Sequence, residues 1–441
     1  MKAKKILMVT SLYPYGHGET FITAELEHVS RAIDHIELVP GYYDRATEPR
    51  PERHPVNLAY ADKRWGMLRV PLMLGALLMG LLKYRWLAEF AIIFKRPGKL
   101  ANLKELVRAL YRARMFERFL VNEARQGRGA YDVIYFYWLV PEIVGAAQFS
   151  KACGAAPRVV CRAHRGDLYE DLKPAGYAGM RREIVASVDE IYCISEHGKR
   201  YLDGQFPGMS AKFHLARLGV NDPGTLNQQP RSGPLRIVSC SFVIASKRVP
   251  LIVDAIAHML ALDPSLQVHW THIGNGPLLE EVHAYAASRL GARAEALFKG
   301  YMTQAEVLSL YREQPFDLIV NLSDSEGIPV SLMEAASAGI PIVATDVGGS
   351  AEILAGGNGV LVAADADTGT IAAAIARFAD RGAAAALRRA AREHWNTHFN
   401  AAVNYGRFGR ILAGLPAPAA AGSEPEGRAP APVVHDDQVV G

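Results

Sequence analysis

Two glutamates, Glu326 and Glu334, stand eight positions apart within Ser325 to Gly349, SEGIPVSLMEAASAGIPIVATDVGG. At helical rise that interval is about 12 Å, too far for both carboxylates to hold one small group. The spacing suits two separated hydroxyl clusters of an extended ligand, such as the sugar and the ribose of a nucleotide-sugar. Between them the backbone amides of Gly327 and Ile328 open a helix, where N–H groups and dipole favour diphosphate oxygens. Further upstream, Lys247 and Arg248 form a basic pair after a strand-like run. Two glutamates at this interval also occur on many solvated helices, so the elements around them carry the argument.

Those elements read clearly. Strand-like runs, Asp317 to Leu322 and Ile340 to Thr345, flank the segment, and Val330, Met333, Ala336, Ser337 and Ile340 recur at helical spacing. Pro329 suits a first helical turn and Gly339 a helix end. The whole stretch, with Glu326, Gly327, Pro329, Glu334, Ala335, Ala336, Gly339, Pro341 and Gly348-Gly349, resembles the donor site of the retaining glycosyltransferases of family 4. That resemblance implies the GT-B fold: α/β, two Rossmann-like parallel-sheet domains facing across a cleft, with a C-terminal helix returning to the first. It also implies that Glu326 holds sugar hydroxyls, Glu334 the ribose, and Lys247 the donor pyrophosphate. The family's arginine partner to that lysine is missing, because Ser241 or Phe242 stands in its place. Arg248 replaces the family's usual glycine and is a candidate substitute. IGNGPLLEEV, with Gly274 and Gly276, resembles the loop on the nucleotide-base side.

Earlier in the chain, Lys5 to Thr10 reads as a buried strand, followed by a loop with Gly16 and Gly18 and the helical pattern Phe21 to Ile33. Strand, glycine loop and helix form a phosphate-facing unit. A dinucleotide fingerprint needs a third glycine where Phe21 stands, which disfavours a dehydrogenase. The YPYGHGETF loop resembles the family's donor-diphosphate and acceptor loop. Strands are also expected at His35–Pro40, Asp132–Trp138, Arg158–Ala163, Asp189–Ser195 and Lys212–Leu218. His164 follows one of them, at the carboxyl end that faces the ligand crevice of an open α/β sheet. RAHRGDLY resembles the family's histidine loop beside the transferred sugar, which gives His164 a hydrogen-bonding or charge-stabilising role, not that of a base. A strand-end histidine bonded to backbone is the alternative.

The chain's 441 residues exceed what one core usually organises. The expected layout is a first domain over 1–222 with a basic helical insertion at about 57–126 and a linker over 223–234. A donor domain follows over 235–397, then a crossover helix over 398–413 and a disordered tail over 414–441. Residues 50–128 hold 17 Lys and Arg against 6 Asp and Glu, a local +11 in a chain of total +4. Within them the apolar Pro71 to Leu82 is too short to span a bilayer. With Lys83, Tyr84, Arg85 and Trp86 it suits a helix on an anionic membrane surface, or else a buried helix with solvated basic neighbours. Nucleic acid is disfavoured, since aromatic residues do not interleave the basic ones. The four cysteines form no ligand-spaced cluster and read as reduced core thiols. The start MKAKKILMVT reads as a first strand, not a leader. Asp365 and Asp367 precede a helix and read as caps, so no metal is expected.

The combined expectation is a metal-independent retaining glycosyltransferase with no cofactor beyond a UDP- or GDP-linked sugar as co-substrate. Its acceptor is expected to be a saccharide or lipid-linked intermediate of surface or exopolysaccharide synthesis. Its place is expected to be cytoplasmic, peripheral on the inner face of the membrane. Two alternatives remain, a GT-B sugar-nucleotide epimerase and a non-catalytic membrane-bound assembly component.

Overall fold

The computed structural model describes residues 4–416 apart from 17–18, 45, 65–70, 72–73, 76–77, 79–85, 155–156 and 174–175. Two six-stranded, wholly parallel sheets organise them. The first comprises β1 (Lys5–Thr10), β2 (His35–Pro40), β3 (Val133–Phe136), β4 (Arg158–Ala163), β5 (Glu190–Cys193) and β6 (Phe213–Leu215), in the order β2-β1-β3-β4-β5-β6. The second comprises β7 (Leu235–Cys240), β8 (Val268–Ile273), β9 (Ala294–Phe298), β10 (Leu318–Asn321), β11 (Ile342–Thr345) and β12 (Gly359–Val362). Its order is β12-β11-β10-β7-β8-β9.

Parallel strands need crossover helices, which bury both sheet faces and explain the near-continuous apolar runs. In β1, Ile6 and Met8 join a layer that contains Leu26 and Val29 of the helix Phe21–Val29. Leu7 and Val9 face the other layer, with Phe116 and Leu120 of the 27-residue helix Lys99–Arg125. That long helix falls in the basic insertion and is a core element. Several of its arginines are paired, Arg112 with Glu142 at 2.9 Å and Arg114 with Glu117. Most of Pro71 to Leu82, and all of Lys83 to Arg85, lie outside the described residues. Leu74 and Leu78 are described and stand exposed. Among the described residues no helix is long and apolar enough to cross a membrane.

The two lobes are joined twice. Val220 donates its N–H to Phe399 O at 2.9 Å, and Ala401 N–H returns to Val220 O at 3.1 Å, so both crossings of the chain pair side by side. The helix Ala401–Leu412 then packs on Phe21–Val29 of the first lobe, as close as Gly409 allows against the Val29 backbone. Residues 417–441, most of the expected tail, lie outside the described residues.

Candidate active site

β10 ends at Asn321, and the chain turns through Ser323, Asp324 and Ser325 before the helix Val330–Ser337. Glu326 sits in this turn, buried, with three donors converging on its Oε1. They are Lys247 Nζ at 2.6 Å, Ser323 Oγ at 2.6 Å and Asn321 Nδ2 at 3.3 Å. Among the described residues no hydrogen bond reaches Oε2, nor do the N–H groups of Gly327 and Ile328 donate one. The carboxylate is therefore fixed through one oxygen and can accept through the other. An ammonium carries three N–H groups, so Lys247 keeps two beyond its bond to Glu326.

Arg248, the candidate pyrophosphate ligand, is engaged with backbone carbonyls in this structure. Its guanidinium donates to Leu322 O at 2.6 Å, Ala364 O at 2.8 Å and Ser323 O at 3.3 Å. Leu322 and Ser323 lie on the turn that carries Glu326, Ala364 lies on the loop after β12, and Asp324 N–H adds a bond to Ser246 O at 2.9 Å. Arg248 thus positions the glutamate's turn. Its φ of 45° lies in the left-handed region, where glycine costs least, and the three carbonyl bonds offset that strain.

Glu334 lies within the helix, buried beneath Gln304, whose Nε2 donates to its Oε1 at 2.8 Å. Burial pushes its carboxyl up to about 7, only partly opposed by that bond. Gln304 opens the helix after β9 and carried no signal in the sequence, because the contact joins segments thirty residues apart. Gly274 and Gly276 prove to be packing positions in the neighbouring loop. A Cβ on Gly274, whose φ is 143°, would lie 1.9 Å from Ser241 O, and one on Gly276 would lie 2.4 Å from Val243 O. They press the loop after β8 onto the loop after β7.

The first lobe meets this turn directly. Arg165 Nε donates to Ser325 Oγ at 2.9 Å, and a Cβ on Gly327 would come within 2.8 Å of Arg165 Cβ. Glu326 is thus held where the lobes touch. Beside Arg165, His164 follows β4, buried, with its ring 4.5 Å from Trp138, 4.7 Å from Tyr137 and 6.1 Å from Phe21. Among the described residues neither ring nitrogen has a hydrogen-bond partner. Burial, with Arg162 nearby, drives its pKa well below the usual histidine value, so the ring is neutral. Its backbone N–H bonds Asp167 Oδ1 at 2.7 Å.

The loop after β1 holds a residue that the sequence reading passed over. Glu19 accepts the N–H groups of Ser11, Leu12 and Tyr13 at 2.9, 2.7 and 2.7 Å, and the Trp138 indole N–H. Three successive amides after a strand are an anion nest, and here the anion is the protein's own. Gly16 adopts φ 66° with open space beside it, whereas Gly18 lies outside the described residues. A lone acid in a glycine loop before a helix was the available clue. Asp367 accepts from Thr370 N–H at 2.7 Å and caps its helix.

Residues 235–381 match the family model described as Glycosyl transferases group 1. The O-antigen biosynthesis glycosyltransferase WbnH of Escherichia coli is 26% identical over 180 residues, 40% of this chain and 46% of that protein. The amylovoran biosynthesis glycosyltransferase AmsK of Erwinia amylovora is 26% identical over 213 residues, 46% of this chain and 50% of that protein. The chain thus spans about half the length of these relatives. Among solved structures, the lipopolysaccharide outer core galactosyltransferase WaaB superposes with a TM-score of 0.64 at 14% identity, over 93% of this chain and 100% of that one. HepE of Anabaena, in complex with UDP-glucose, does so with 0.61 at 15% identity and the same coverage. Two parallel-sheet lobes in contact across the Glu326 turn, and a superposition over nine-tenths of the chain, give this protein the GT-B fold.

Proposed function

We propose that the protein is a glycosyltransferase, moving a sugar from a nucleotide-sugar donor to an acceptor hydroxyl with retention at the anomeric carbon and without a metal. The observation that carries the reading is the 2.6 Å pairing of Lys247 and Glu326 at the interlobe contact. It sets a cation and a fixed carboxylate beside the amides of Gly327 and Ile328, unbonded among the described residues, just ahead of the helix Val330–Ser337. In glycosyl transfer, positive charge grows on the sugar ring while negative charge grows on the leaving diphosphate. Glu326 Oε2 accepts hydroxyls of the donor sugar. The two remaining Lys247 N–H groups and the amides of Gly327 and Ile328 receive the diphosphate oxygens, stabilising charge without having to move. Glu334 accepts the ribose hydroxyls, and the neutral His164 donates or accepts one bond at the sugar. The leaving phosphate takes the acceptor proton on the face it departs from. Lobe closure excludes water and so limits donor hydrolysis.

WbnH and AmsK act in O-antigen and amylovoran biosynthesis, and HepE binds UDP-glucose. These likenesses support a UDP-sugar as donor, with a GDP-sugar next, and a saccharide acceptor in surface or exopolysaccharide synthesis. The basic insertion with exposed Leu74 and Leu78 supports an acceptor presented at an anionic membrane, with the protein peripheral on its inner face. The test is a screen of UDP-, GDP- and ADP-sugars by thermal stabilisation, followed by anomeric analysis of the product. A donor should raise the melting temperature of the wild type and much less that of Lys247→Ala. Stabilisation by no nucleotide-sugar, or a product of inverted configuration, would overturn the reading.

A further inference from the structure

On the first lobe, a cavity of about 140 Å³ lies between the helix Trp86–Lys95, Glu170, residues 177–182 and residues 205–206. Arg96, Arg181 and Arg182 line it, with Glu89, Glu170 and Tyr177. Arg181 is the unusual member. It is buried, and its Nη2 donates to the carbonyls of Asp167 and Leu168. Among the described residues its Nε and Nη1 have no hydrogen-bond partner, and the Glu170 carboxylate, 3.8 Å from Nε, pairs with it by charge but stands beyond hydrogen-bonding distance. Glu170 is held by Arg96 at 2.7 Å instead. Glu89 is bonded by the Tyr177 hydroxyl at 2.6 Å, and burial raises its pKa, so its negative charge is discouraged. Burying a guanidinium with the three N–H groups of Nε and Nη1 idle is costly unless something accepts from them.

We infer that this cavity binds a single phosphate group, gripped by Arg181 Nε and Nη1 with Arg182 and Arg96 at its rim. A guanidinium offers two parallel N–H groups that match two phosphate oxygens. Three arginines against two carboxylates, one of them discouraged from ionising, leave the lining positive. The cavity exceeds the ~30 Å³ share of one water several-fold. Its surroundings indicate where such a phosphate comes from. Phe94 precedes Arg96 by two residues and is 63% exposed, and Leu100 follows by four and is 84% exposed. Exposed apolar side chains on the chain segment that carries Arg96 make a phospholipid headgroup one source of that phosphate. Free phosphate shares the headgroup chemistry and is separated from it by the experiment below. The inference does not depend on the proposed transfer reaction, because none of these residues belongs to the Glu326 site.

Thermal unfolding is followed with inorganic phosphate from 0 to tens of millimolar, and flotation with vesicles of phosphatidylcholine alone or mixed with phosphatidylglycerol. The wild type, Arg181→Lys and Arg182→Gln are compared. Arg181→Lys keeps a cation for the two carbonyls but removes the fork; Arg182→Gln lies exposed and leaves the fold intact if Arg181→Lys does not. Phosphate is expected to raise the wild-type melting temperature saturably. Its apparent affinity should fall about tenfold in either variant, the value of one charge-assisted hydrogen bond. Vesicle binding that needs phosphatidylglycerol and drops with the same substitutions identifies the lipid as the source. Vesicle binding unaffected by them, with the phosphate effect retained, identifies free phosphate. A phosphate effect equal in all three proteins, or none at all, overturns the site and leaves an ordinary water-filled cavity.

Discussion

Lys247 Nζ and Glu326 Oε1 lie 2.6 Å apart although 79 residues separate them in the chain. The lysine follows β7 and the glutamate follows β10, and these strands are neighbours in the second sheet. Adjacent parallel strands put their carboxyl ends side by side, so the pairing follows from sheet order.

Glu326→Gln should lower turnover at saturating donor by about 10²–10³-fold, the usual cost of one preorganised charge contact in a transition state. The amide retains Oε1 as acceptor for Lys247 and Ser323, so the melting temperature should shift by only a few degrees. Wild-type turnover by this variant would remove the central assignment. A double-mutant cycle with Lys247→Met should show less than additive loss in kcat, because each residue anchors the other.

Gly327 is where one lobe presses on the other, with Arg165 Cβ 2.8 Å from where a methyl would stand. Gly327→Ala should therefore hold the lobes apart. The expected result is a larger radius of gyration with saturating donor in small-angle scattering, and an activity loss. Unfolding free energy should change by less than about 1 kcal/mol, since the contact lies between lobes and not within a core. Unchanged scattering with full activity would mean that the lobes do not close on this contact.

Glu19→Gln tests the loop after β1. The carboxylate serves three amides and an indole N–H, whereas an amide side chain presents one acceptor oxygen and an NH₂ that would face other donors. Denaturant unfolding should show a loss of about 2–4 kcal/mol, as for a buried hydrogen-bonded network left half satisfied. An unchanged midpoint would mean that the loop is held by other contacts.

Glu334 should leave a mark on pH dependence. Its folded pKa of about 7 stands above the ordinary 4.5, so between those values the folded state binds the extra proton. Stability from this group is full below pH 4.5 and declines as pH rises through 7. Glu334→Gln should flatten the melting temperature across pH 4.5–7 relative to wild type. If Glu334 accepts ribose hydroxyls, donor affinity should rise from pH 6 to 8 in wild type and stay level in the variant.

Parallel strands, buried on both faces, write themselves as apolar runs, and so β1, β2 and β4 were legible to the residue from Lys5–Thr10, His35–Pro40 and Arg158–Ala163. The helix after Glu326 was legible as an element, though it runs Val330–Ser337 and stops short of Ile340, with Gly339 at φ 72° just beyond its end. Side-chain partners across the fold were not. The sequence by itself determined the α/β alternation and put Glu326, Lys247 and His164 at carboxyl ends of strands, because periodicity and turn chemistry are local. Only the tertiary structure decided that Arg248 braces a turn, that Glu19 fills the amide nest, and that Gln304 covers Glu334. Those outcomes depend on which carbonyls and amides arrive from distant segments, and no local pattern encodes that.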